Sequence, residues 1–122
     1  MLRNSVLNAD IPDFFLRLTQ TPPAILGAWA TSCGVSHADS ARYRFCGDFA
    51  GHFGKSIFQY TLSGCGYLLF NDNLHPVPPG HAILLQPPQN SCYFAREGEV
   101  WEFCFLTLDG PEAARYWRYL ID

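Results

Sequence analysis

Charge is what this chain has least of. Only 16% of its 122 residues are Asp, Glu, Lys or Arg, against about 25% in an average domain, so its surface is expected to carry apolar area that a partner copy or a further domain covers. Basic excess is missing as well. Eight Lys and Arg stand against eleven Asp and Glu, with an isoelectric point near 5.7, a balance with no positive stripe for a phosphate backbone. These residues are therefore not expected to bind nucleic acid themselves. The five cysteines, Cys33, Cys46, Cys65, Cys92 and Cys104, form no C-x-x-C and are odd in number, and no signal-peptide pattern opens the chain. They read as reduced thiols of a cytoplasmic protein. No long apolar run exists either. Between Ser56 and Ala95 only Asp72 is charged, but Pro76, Pro78, Pro79, Pro87 and Pro88 cut that stretch into pieces too short to span a bilayer. No membrane segment is expected.

Catalytic signatures are equally scarce. The sequence has no G-x-S-x-G, no glycine-rich phosphate loop, and no cysteine set beside a His and Asn pair. Cys65 lies between Gly64 and Gly66 with no cation nearby in sequence to lower its pKa, which favours an architectural role. The first reading is therefore a protein that is not an enzyme.

What the chain does have is apolar and aromatic mass. Hydrophobic residues make up 48%, with ten Phe, six Tyr and three Trp. At this length one domain forms, burying roughly two-thirds of its unfolded surface without metal or disulfide staples. Residues 1–23 form an N-terminal arm whose IPDFFLRL segment is too apolar to be idle and should dock on something. From 24 to 108, short β-type runs alternate with turn chemistry: 24–31, 41–46, 56–62, 66–71, 74–77, 81–86, 91–95 and 100–108. Strands so spaced imply an antiparallel sandwich or barrel. Trp101, Phe103 and Phe105 share one face against Glu102 and Cys104, and Tyr43 and Phe45 oppose Arg42 and Arg44. One aromatic face points inward.

Turn residues mark the corners. Gly64 and Gly66 suit a tight reversal with positive φ, Asn71-Asp72-Asn73 a hairpin tip, and Pro78-Pro79-Gly80 a rigid turn that carries the next strand to the opposite sheet. Residues 109–122 change period: Asp109 or Gly110 is a suitable N-cap, Pro111 fits the first turn, Glu112 suits the N-terminal dipole, and Ala113, Trp117, Leu120 and Ile121 form an apolar stripe. A stripe that still lacks its partner at the last residue points to a truncated chain.

The order of SGCG (63–66), PPG (78–80), the Pro-Pro ending the next strand, and WEFCFLTLDG (101–110) resembles the ligand-binding and dimerisation domain of AraC-type transcription regulators, a branch of the cupin barrels. The resemblance runs from about Cys33 to Asp122 and departs at His81, where the family usually has Asp. It implies a mainly β, antiparallel cupin-like jelly-roll barrel with an N-terminal arm and a C-terminal α-helix. It also implies an effector-sensing role for the barrel, a homodimer in the full-length protein, and DNA contact only through a C-terminal helix-turn-helix part beyond these residues.

Cupin enzymes hold a metal with three imidazoles and a carboxylate, the first cluster being H-x-H with a Glu shortly after. Here that region reads GHFGKSI, in which His52 alone could serve, and the later histidine position has Ser91 and Cys92. His37, His75 and His81 stand at no ligand-like spacing. No metal or other cofactor is expected. Tyr93 matches an effector-contacting position of the arabinose-responsive members, while Phe103 and Phe105 stand where those members have His and Trp. That favours an effector more apolar than a sugar such as arabinose. Trp29, Tyr60 and Arg44 are expected to reach the same cavity, Phe14, Phe15 and Pro22 to form a lid on the arm, and Trp117, Leu120 and Ile121 to face the barrel or a partner helix. A stand-alone cupin enzyme of isomerase or dioxygenase type, and a ligand-free structural dimerisation barrel, are the alternatives.

Overall fold

The computed structural model describes residues 13–20, 22 and 26–121. Its elements are β1 (Phe14–Arg17), β2 (Trp29–Ala38), β3 (Arg44–Cys46), β4 (Ser56–Gly64), β5 (Gly66–Phe70), β6 (Asn73–Val77), β7 (Ala82–Leu85), β8 (Ser91–Phe94), β9 (Trp101–Asp109) and α1 (Pro111–Ile121), with one 3-10 turn at Ala50–His52. The strands form a five-stranded sheet in the order β1-β2-β9-β4-β7 and a four-stranded sheet in the order β3-β8-β5-β6, paired antiparallel throughout. This is the mainly β, antiparallel architecture expected, with the helix where the period changes.

The turn chemistry explains the corners. Asn71 and Asp72 both take positive φ, 49° and 69°, which makes the β5–β6 link a two-residue hairpin of the primed kind that matches strand twist. Gly80, at φ 85°, follows Pro78-Pro79, and the His81 N–H donates to the Pro78 carbonyl at 3.1 Å. The chain thereby leaves one sheet at Val77 and enters the other at Ala82. Gly64 has the expected positive φ, 73°, but Gly66 does not. Gly66 is needed for contact: the Trp101 ring lies where a Cβ on it would stand.

Alternation sets what fills the interior. On β9, Trp101 and Phe103 are buried; across the ladder on β4, Phe103 stands opposite Thr61 and Phe105 opposite Gln59, so Ile57, Gln59 and Thr61 share their face. The core cluster gathers Trp101, Ile83, Leu85, Val77, Tyr93 and Phe103. It occupies the end of the barrel where β9 begins. Toward Asp109, at the other end of β9, the space between the sheets stays open.

Two further expectations need correction. The strand expected at 24–31 runs instead from Trp29 to Ala38. Its second half was hidden because Gly34 and the serines weaken the β signal, and Gly34 is required there: Phe14 backbone and the Phe105 ring leave no room for a Cβ. The arm docks as a strand, β1, on β2 with Phe14 opposite Val35 and Arg17 opposite Ser32; residues 1–12 of the arm, and Pro23, Ala24 and Ile25, lie outside the described residues. The cysteines are not all reduced: Cys46 and Cys92, directly opposite on β3 and β8, form a disulfide, and Cys33, Cys65 and Cys104 are free. Their separation of 46 residues hid a contact that only the β3–β8 pairing creates.

The helix starts from Gly110, at φ 106°, whose carbonyl accepts from the Ala114 N–H at 3.1 Å, while the Glu112 N–H is satisfied by the Gly27 carbonyl at 2.8 Å. Ala113 is buried, and Trp117 turns to the barrel, donating its indole N–H to the Ile57 carbonyl at 2.9 Å. Ile121 is half-buried, whereas Leu120 is exposed beside Tyr116 and Tyr119. Among the described residues no helix is long and apolar enough to cross a membrane.

Candidate functional site

The open end of the barrel is a cavity of about 710 Å³, in the size range of small-molecule sites. One wall is β9 and its neighbours: Phe103, Phe105 and Thr107 on β9, Ile57 and Gln59 on β4, Trp29 and Thr31 on β2. The opposite wall comes from Tyr43 and Phe45 at β3 and Tyr93 on β8. Tyr43 bridges the two, 5.5 Å from Phe103, while within its own wall it lies 6.2 Å from Tyr93 and Phe45 stacks on Tyr93 at 5.7 Å, all centroid to centroid. Offset and tilted ring pairs at these separations are favourable beyond their buried area. Phe49 and His52 close one flank, and Phe15 of β1 reaches over the mouth to Phe105 at 5.6 Å.

Polar groups interrupt this wall, Ser32, Ser36 and Thr107 among them, and two places carry resolved electrostatics. At the rim, the Lys55 ammonium donates to the Asp109 carboxylate at 2.8 Å; that hydrogen bond holds the carboxyl below its usual pKa, with burial acting the other way. Deeper, Gln59 sits beside two phenols. Burial pushes Tyr43 up to about 12 and Tyr93 up further, and the Gln59 amide opposes both rises. Both tyrosines therefore stay neutral in any physiological medium and can act as hydrogen-bonding groups but not as bases. Burial also lowers the His52 pKa, and the imidazole lies against the Phe45 and Phe49 rings.

Geometry of this kind, a hollow barrel end roofed by an N-terminal strand, bears on family. The family model of the AraC-like ligand-binding domain matches residues 35–121. The chain belongs to that family. Among solved structures, the AraC-like fold here is similar to a cupin protein of Bacteroides fragilis (TM-score 0.55, 15% identity, covering 83% of this chain and 79% of that one). It is similar also to a cupin 2 conserved barrel domain protein of Salinispora arenicola (TM-score 0.55, 11% identity, 88% and 83% covered). A conserved Streptococcus pyogenes protein of unknown function follows (TM-score 0.52, 13% identity, 80% and 75% covered). At such identities the likeness is one of fold alone. No curated protein matches the sequence.

Of the residues singled out from sequence, the AraC-like domain brings Tyr93, Phe103, Phe105 and Trp29 together on the cavity wall. Two expectations are corrected. Tyr60 lies between Gln59 and Thr61, so the strand period turns it to the outer face, over Ala82 and Cys104 of the neighbouring strands. Arg44, likewise between the inward Tyr43 and Phe45, is exposed with its guanidinium 4.9 Å from the Phe94 ring centroid. Of the lid residues only Phe15 borders the cavity; Phe14 alternates away from it, and Pro22, half-buried, is not in its wall. Tyr43 and Gln59 were missed. The signal for Tyr43 was its shared face with Phe45, and for Gln59 its place between Ile57 and Thr61 at strand spacing.

Among the described residues no three His, Cys, Asp or Glu side chains converge as a metal centre requires. His37 pairs with Asp13 at 3.3 Å on the surface, and His75 and His81 are exposed.

Proposed function

We propose that this AraC-like domain is the effector-sensing and dimerisation part of a DNA-binding transcription regulator, working by binding a small molecule and not by turnover. The observation that carries the reading is the cavity roofed by Phe15 of the arm. Strand β1 is exposed along its whole length and held by one neighbour, β2, so it can leave the sheet by opening a single four-residue ladder. An effector that touches Phe15 from below favours the docked arm over the undocked one, and a population shift of the arm is the switch. The exposed face of α1, with Tyr116, Tyr119 and Leu120 at 60%, 82% and 58% exposure, supplies the surface for a second copy or the connection to a DNA-binding part.

A thermal-shift screen of this chain against a metabolite panel, with each hit recovered and checked by mass spectrometry, tests the reading. A ligand present at a hundred times its Kd should stabilise by about 2.7 kcal/mol, a rise on the order of 10 °C, and come back unchanged. Chemical conversion of the hit would favour the enzyme; a blank panel would favour a purely structural barrel.

A further inference from the structure

Gln59 is 5% exposed, lines the cavity, and has no hydrogen-bond partner for its Oε1. Buried carbonyl oxygens are almost always paired, because desolvating one without replacing its water is unfavourable. Among the described residues the other unpaired buried oxygens, Ser56 Oγ and Ser91 Oγ, do not border the cavity. The Gln59 side chain stands beside the phenols of Tyr43 and Tyr93, whose pKa rises it opposes. What Gln59 offers a ligand is therefore an acceptor.

The shape around that acceptor is set by rings. Phe103, Phe105 and Trp29 on one wall face Tyr43, Phe45 and Tyr93 on the other, so the space beside Oε1 is bounded by flat apolar faces. Of the wall's other polar groups, Lys55 is paired with Asp109 at 2.8 Å and the Thr31 hydroxyl with the Thr107 carbonyl at 3.2 Å, while Ser32, Ser36 and Thr107 also border the cavity. A sugar carries hydroxyls on every edge and would set several of them against those rings. A flat ring with one donor suits the rings and the Gln59 acceptor together.

We propose that the cavity takes a planar aromatic compound bearing a hydroxyl or ring N–H, which donates to Gln59 Oε1 while the ring packs between the two aromatic walls. This rests on the effector-sensing reading and names its ligand class. An ether, ketone or carboxylate at the same place would set lone pairs against the Gln59 oxygen and is rejected.

The test uses calorimetric titration of this chain with matched pairs: phenol against anisole, indole against 1-methylindole, and L-arabinose as the sugar probe. Phenol and indole should bind about tenfold more tightly than their methylated partners, the factor one buried hydrogen bond supplies. In Gln59→Leu that preference should collapse to within about twofold, with anisole gaining as phenol loses. Equal binding of phenol and anisole by the unaltered protein overturns the inference whether or not the variant folds. Binding of arabinose without binding of any aromatic probe also overturns it, yet leaves effector sensing standing. Failure of every probe, together with a blank metabolite panel, ends both.

Discussion

The Trp101 indole donates its N–H to the Thr61 hydroxyl at 2.9 Å, and that hydroxyl donates onward to the Val77 carbonyl at 3.0 Å. Trp101 is 0% and Thr61 1% exposed, so this relay from β9 through β4 to β6 ties the two sheets together without water. Thr61→Val keeps the shape and removes both bonds, leaving a buried indole N–H unpaired. The variant should lose about 2–3 kcal/mol in urea unfolding with an unchanged m-value, while Thr61→Ser should lose less than half as much. Equal losses in the two variants would show that the methyl, not the hydroxyl, carries the effect.

Tyr43 offers a check at alkaline pH. Its hydroxyl titrates near 10 in an unfolded chain and is pushed up to about 12 here by burial. Between those values the folded chain holds a proton that the unfolded chain has released, so stability is at its plateau below pH 10 and falls as pH rises through 10 toward 12. The loss amounts to about 2 kcal/mol across the window. Urea midpoints from pH 8.5 to 11 should fall more steeply for the natural protein than for Tyr43→Phe, and parallel slopes would contradict the burial of that phenol.

Cys46 and Cys92 join β3, which carries Phe45 of the cavity wall, to β8, which carries Tyr93. Thiol titration in denaturant should count three free thiols, Cys33, Cys65 and Cys104, and all five cysteines only after reduction. The double substitution Cys46→Ser with Cys92→Ser should lower stability by about 2–4 kcal/mol, as expected for releasing a loop of this size. Five thiols before reduction would restore the all-reduced reading.

Much of the barrel was legible because its corners are written in Gly, Pro and Asn, which act locally. The hairpin at Asn71-Asp72 and the sheet change at Pro78-Pro79-Gly80 needed no tertiary information. Phe103 and Phe105 were legible for a related reason: alternation over nine residues of β9 fixes which side chains share a face. Tyr60 and Arg44 went to the wrong face because the aromatic and the cation looked more like ligand contacts than their neighbours Gln59 and Tyr43, and a strand turns consecutive residues opposite ways. The Cys46–Cys92 bond and the unpaired Gln59 oxygen depend on which strands become neighbours. No local pattern contains that.

Phe15 is 56% exposed, and its ring lies 5.6 Å from that of Phe105 in the cavity wall. A side chain so placed contributes little to the folded state alone, so Phe15→Ala should shift stability by no more than about 0.5 kcal/mol. Its effect should fall on the ligand instead. If β1 closes over an occupied cavity, removing the ring takes away one face of the ligand's enclosure, about 1–2 kcal/mol of contact and a five- to thirtyfold weaker Kd. Protection of the Arg17 peptide bond from trypsin by added ligand should also shrink in the variant, because cleavage requires the strand to leave β2. Unchanged affinity and unchanged protection would mean that the arm lies over the mouth without sensing what is inside, and the switch would have to be sought at α1, through the Trp117 bond to the carbonyl of Ile57.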